Sequence, residues 1–143
     1  FLDGDGAQEV AKAIERGGDE DEGKTAPSSE KPIWRVELQR ALKKNGSDAT
    51  SKYVQLATVR EDNTPACRTI VFRAFIPDSN ALYFVTDLRS EKVAQIDRNP
   101  AGEAAWYLPI TREQFRISGR LSLAGPGSAG ALAAERARRR YTP

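Results

Sequence analysis

Arg68, Arg73 and Lys92, with the hydroxyls of Thr86 and Ser90, are the side chains of this sequence best suited to hold an anion. Arginine grips a phosphate through two parallel N–H groups, lysine acts as a point charge, and a hydroxyl completes the shell. All five lie in one stretch, RTIVFRAFIPDSNALYFVTDLRSEK, running from Arg68 to Lys92. There the apolar run Ile70-Val71-Phe72 precedes a turn, Pro77-Asp78-Ser79-Asn80. A second β-rich run, Leu82 to Thr86, then leads through Asp87-Leu88-Arg89-Ser90 into a helix. A helix starting near Ser90 adds free amides and the positive end of its dipole. Strict alternation along a strand puts Arg68 and Arg73 on opposite faces. A bulge, or a strand ending near Phe72, would be needed to converge them. Separate solvated charges on strand edges are the plainer account of the same spacing.

Gln114 is a second candidate, since an amide at the start of an amphipathic strand can both donate to and accept from the edge of a heteroaromatic ring. A polar side chain facing solvent is the simpler account of the same spacing. The basic tail, Arg136 and Arg138 to Arg140, is a third. It could touch a nucleic-acid backbone, but Tyr141 is the only aromatic beside it, and a helix C-terminus complemented by positive charge is the simpler reading.

Composition excludes more than it suggests. With no histidine, His-based triads and His metal sites are ruled out. The single cysteine, Cys67, rules out an internal disulfide. A formal charge of +2 implies no general affinity for polyanions. Charged residues are 29% of the chain, and no apolar run approaches the roughly 20 residues of a membrane span, so a soluble protein without a membrane partner is expected. Asp3-Gly4-Asp5-Gly6 invites a calcium-loop reading, but Lys12 would stand where the bidentate glutamate belongs. Neither the dinucleotide glycine fingerprint nor the phosphate-binding glycine-lysine loop is present. The lack of methionine and the start at Phe1 lead us to expect a fragment or processed product, cytoplasmic or organellar, that could already have lost a targeting peptide.

The elements that must position these side chains follow from pattern. Residues 1–30 read as a flexible acidic segment and linker, with two or three helical turns over Ala7 to Arg16. Pro32 opens the first convincing helix, in which Trp34, Leu38, Ala41 and Leu42 form one apolar stripe and Asn45-Gly46 stops it. Tyr53 to Val59, Ala66 to Phe75 and Ala81 to Thr86 read as strands. Ser90 caps a helix from Glu91 to Arg98, which Asn99-Pro100 ends. Glu103 to Leu108 is a fourth strand. Gln114 to Leu123 is a fifth, with Phe115, Ile117, Leu121 and Leu123 facing one way and Gln114, Arg116, Ser118, Arg120 and Ser122 the other. Ala129 to Arg140 is helical by propensity. Short strands joined by tight turns predict a mainly β fold with flanking helices, a small antiparallel barrel over residues 31–143.

Several stretches together resemble the pyridoxamine 5′-phosphate oxidase family of FMN-binding split barrels, and within it the cyanobacterial-type branch of oxidase-like FMN-binding domains. They are ACRTIVFR from Ala66, FVTDLRSEK from Phe84, Asn99-Pro100, Trp106-Tyr107, and REQFRI from Arg112. The resemblance spans roughly Trp34 to Leu123, and its specificity lies in the joint order and spacing. It implies a six-stranded split barrel that is dimeric, with FMN in clefts between subunits. By this likeness Arg68, with Thr69 beside it, matches the first phosphate-site arginine, and Arg73 the basic position five later. Val85 and Thr86 match a strand pair at the flavin, Ser90 and Lys92 the phosphate-binding turn, and Gln114 the glutamine near the isoalloxazine ring.

Two departures from the family pattern bear on function. Where the oxidases usually carry arginine between the serine and lysine, this chain has Glu91, one cation fewer in the phosphate shell. The oxidases also place substrate-binding arginine and histidine in a C-terminal segment with no counterpart before Pro143. The expectation is therefore an FMN-binding homodimer, a flavin-dependent oxidoreductase of unspecified small substrate. A non-catalytic flavin-binding or interaction module is the alternative, and a nucleic-acid binder using the arginine tail is a weaker third.

Overall fold

The structure, a computed structural model, describes the backbone of residues 9–15 and the whole of residues 31–125. The expected acidic linker, the Asp3–Gly6 stretch and the arginine-rich tail lie outside the described residues.

Helix α1 (Ile33–Lys44) begins after Pro32, whose fixed φ of −60° starts the turn without needing an N–H. Its expected stripe faces the core, with Leu38 and Ala41 buried and Trp34 and Leu42 packed partly buried against it. Asn45 ends the helix and ties it down. Its buried amide donates to the Ala41 carbonyl at 2.8 Å and to Thr111 Oγ1 at 2.9 Å, and its oxygen accepts from the Ile110 N–H.

A short 3-10 turn (Ala49–Lys52) leads into β2 (Tyr53–Val59), β3 (Pro65–Phe75) and β4 (Leu82–Asp87). Helix α2 (Glu91–Arg98) follows, then β5 (Ala101–Leu108) and β6 (Glu113–Ala124). The strand-to-strand turns each use one left-handed residue, Asn63, Asp78 and Arg112. These strands form a curled antiparallel sheet in the order β4-β3-β2-β5-β6. Inward side chains alternate with outward ones as expected. Val54, Leu56, Ile70, Phe84, Ile117 and Leu121 fill the interior. Trp106 is fully buried and donates its indole N–H to the Ser51 carbonyl at 2.8 Å. Gly102 gives Leu121 room, for a Cβ there would lie 2.5 Å from Leu121 Cδ1.

The sixth strand corrects one expectation. Glu9–Glu15 forms β1, not helical turns. It pairs antiparallel with β4 (Val10 opposite Thr86) and with β6 (Ile14 opposite Leu121), closing the sheet into a barrel. The physical reason is that β4 and β6 each present a row of unpaired amides and carbonyls. That pairing outweighs the helical preference of an alanine-containing segment, because strand formation depends on context.

Candidate functional site

Arg68 stands on the inward face of β3, in phase with Ile70 and Phe72, near the end of the barrel that α2 covers. It is half-buried, and its guanidinium is held from below. Nη1 donates to the Leu56 carbonyl at 3.2 Å and to Thr58 Oγ1 at 2.6 Å, and Nη2 donates to Gln95 Oε1 at 3.1 Å. Thr58 in turn donates to Gln95 Oε1 at 2.6 Å. Burial pushes the Arg68 pKa below its ordinary value.

Lys92 enters from the first turn of α2. Its Nζ donates to Ser90 Oγ at 2.9 Å, and Ser90 Oγ donates to the Asp87 carbonyl at 2.7 Å. Thr86 Oγ1 lies 3.4 Å from Ser90 Oγ. Ser90 stands at the N-cap position with extended backbone, yet its side chain makes no capping bond. The hydroxyl is turned instead toward Lys92 and the strand end. Burial, and then the positive charge of Arg68, pushes the Lys92 pKa down, with Asp87 opposing. No carboxylate lies within ion-pair distance of either cation among the described residues. Asp87 is already taken by Arg89, whose hydrogen bonds lower its pKa to about 2.

Arg68, Thr86, Ser90 and Lys92 are thus brought to one place, and the other expected site residues stand apart from them. A one-residue bulge does occur in β3, between Phe72 and Ala74, where the register shifts at Arg73. It does not bring Arg73 to Arg68. Arg73 is exposed in a separate hollow with Gln39, Ser51 and Lys52, roughly 16 Å further along the strand at about 3.3 Å per residue. Thr69 faces outward, its hydroxyl 3.4 Å from Gln55 Nε2. Val85 packs half-buried beside Ala74, Tyr83 and Ala124. Gln114 is exposed on β6, opposite Tyr107.

A family model for the pyridoxamine 5′-phosphate oxidase FMN-binding domain matches residues 31–125, from the start of α1 to the end of β6. The chain belongs to this family. A pyridoxine/pyridoxamine 5′-phosphate oxidase 2 from Arabidopsis thaliana is 41% identical over 90 residues, covering 63% of this chain and 46% of that protein. A pyridoxine/pyridoxamine 5′-phosphate oxidase from Hyphomonas neptunium is 31% identical over 116 residues, 78% of this chain and 50% of that one. The chain therefore spans about half the length of these curated relatives. A solved structure from Nostoc punctiforme, described as a pyridoxamine 5′-phosphate oxidase-related, FMN binding protein, superposes with a TM-score of 0.71 at 40% identity. That likeness covers 80% of this chain and 60% of the other.

Within this oxidase-family domain, two residues at the site carried no obvious signal in the sequence. Thr58 is buried on the inner face of β2, where alternation with Val54 and Leu56 calls for an apolar side chain. Its polarity at an apolar position was the available clue, because a buried hydroxyl needs a partner. Gln95 lies three residues after Lys92 on α2, so both share a helix face. That i, i+3 spacing from Lys92 is the signal the sequence carries for it.

Proposed function

We propose that this domain binds FMN with its phosphate at the Arg68–Lys92 cluster and forms the flavin-binding part of an oxidoreductase acting on a small substrate. The observation that carries the reading is the pair itself. Two half-buried cations meet at one face of α2, Arg68 through its bond to Gln95 and Lys92 three residues earlier on the same helix, and neither has a carboxylate within ion-pair distance among the described residues. Holding like charges together away from water is unfavourable, and an anion between them reverses the sign of the interaction. A phosphate meets that need and finds hydroxyls beside it, those of Ser90 and Thr86. The first amides of α2 add donors on the same side. The donor set therefore fits the cofactor that the family description names.

When bound, FMN supplies the redox chemistry. The protein's part is to bind and orient it. In this reading Arg68, Lys92 and Ser90 fix the phosphate, and Thr86 and Val85 flank the cofactor. Thr69, Arg73 and Gln114 act away from the phosphate, with Gln114 at the ring edge. We further propose that the domain is a homodimer through the outward face of β2, β3, β5 and β6. Tyr53 and Tyr107 stand 46% and 52% exposed on that face, large side chains that a second copy would cover. Two-fold pairing is the commonest oligomeric solution.

Gel filtration of the protein mixed with FMN tests both parts. The expected result is a dimer peak carrying oxidised-flavin absorbance. A protein that elutes free of flavin at micromolar concentration contradicts the cofactor reading, and a flavin-bearing monomer contradicts the dimer. Flavin reduction and reoxidation coupled to a substrate separates an oxidoreductase from a module that only binds flavin.

A further inference from the structure

We infer that Thr58 and Gln95 are positioning residues that decide which edge of the Arg68 guanidinium meets the anion. The inference rests on the reading of Arg68 as a phosphate ligand, and it follows from counting N–H groups. A guanidinium has five, arranged in a fixed plane. Nη1 spends both of its hydrogens, one on the Leu56 carbonyl and one on Thr58 Oγ1. Nη2 spends one on Gln95 Oε1.

The two side-chain oxygens that receive these bonds are themselves 2.6 Å apart. One accepts from Nη1 and the other from Nη2, so they sit side by side along the end of the guanidinium. The N–H groups left over are Nε–H and the second hydrogen of Nη2. These lie next to each other on the long side of the plane, and that side is the fork that holds two oxygens of a phosphate in parallel bonds.

The bracket is internally consistent. The Thr58 hydroxyl accepts from Arg68 and donates to Gln95, while Gln95 Oε1 accepts from both. A flipped amide would point an NH₂ at the Arg68 Nη2, which can only donate, so the network selects the oxygen-inward orientation. Without Thr58 and Gln95 the end of the guanidinium is freed, and Arg68 can offer either edge. Helix α2 thus carries two devices on one face, a cation for the ligand in Lys92 and the support for the second cation in Gln95.

The test compares FMN and riboflavin, which differ only in the phosphate, on the full chain. Thr58→Val and Gln95→Leu should each weaken FMN binding roughly tenfold and move riboflavin by less than about twofold. Thr58→Ser, which keeps the hydroxyl, should bind FMN like the wild type. In the ligand-free wild type, the ¹⁵N signals of the two Arg68 Nη groups should be separate, because the bracket stops the rotation about the Nε–Cζ bond that exchanges them. In Thr58→Val and Gln95→Leu they should merge. Variants that lose FMN and riboflavin alike overturn the inference, since they report general loosening of the barrel. So does an Arg68 that rotates freely in a wild type that nonetheless prefers FMN. If Arg68 is held but the wild type binds FMN no better than riboflavin, the bracket stands and the FMN reading falls.

Discussion

The Arg89 guanidinium takes both carboxylate oxygens of Asp87, with Nη2 at 2.6 Å from Oδ2 and Nε at 3.1 Å from Oδ1, and that carboxylate makes no ion pair with Lys92. The pair is surface-exposed, and its own contribution to folding is small. Its consequence for the site is larger. With Asp87 occupied, the Lys92 ammonium is left to Ser90 and to an incoming anion. Arg89→Ala should free Asp87 to turn toward Lys92 and weaken FMN binding roughly threefold, with riboflavin binding unchanged. Equal affinities in variant and wild type, measured by flavin fluorescence titration, would show that Asp87 never competes.

The charge state of Lys92 gives the affinity a pH dependence of fixed sign. Its pKa in the folded protein lies below the ordinary 10.5 because of burial and then Arg68. A bound dianion favours the charged form, so above the free-site pKa binding must take up a proton. FMN affinity should therefore fall as pH rises through that lowered pKa, by up to about tenfold per pH unit. Lys92→Arg keeps the charge and should remove the alkaline fall. The acid side should follow the second ionisation of the phosphate, near pH 6, since Asp87 titrates at about 2 and stays ionised throughout. Without ligand the sign reverses. Between the folded and unfolded pKa values of Lys92 the unfolded chain binds more protons, so stability rises with pH in that window. An alkaline limb that survives in Lys92→Arg would assign it to another group.

β1 supplies a prediction about stability. Because Glu9–Glu15 pairs with both β4 and β6, deleting residues 1–16 reopens the barrel and exposes two strand edges. The melting temperature of the truncated protein should drop by roughly 5 °C or more, the shift that about 1 kcal/mol produces in a domain of this size. An unchanged melting curve would mean that the barrel does not depend on β1.

How much of this was legible in the sequence depends on whether the cause was local. The α1 stripe and the alternation from Gln114 to Leu123 could be read directly, because each obeys a single period set by burial on one face. Helix α2 could be read because Ser90 and Asn99-Pro100 punctuate both ends. β1 could not, since its partners are β4 and β6, far away in the chain, and nothing within Glu9–Glu15 announces them. Around Arg73 the need for a bulge could be foreseen, but not that the bulge would leave the side chain exposed in another hollow. Thr58 was hidden by its neighbours, for a hydroxyl shaped like valine in an apolar strand looks like core until its hydrogen bonds are seen.

The account stands or falls on the claim that Arg68 and Lys92 hold the phosphate of FMN. The most direct measurement is the dissociation constant of FMN beside that of riboflavin for the wild type, Arg68→Ala and Lys92→Ala. Charge-assisted hydrogen bonds of about 1.5–3 kcal/mol each translate into FMN affinity weakened roughly 10- to 150-fold in either variant. Riboflavin, which lacks the phosphate, should bind all three proteins with the same poor affinity. Variants that bind FMN like the wild type, or that lose FMN and riboflavin in equal measure, would contradict the claim.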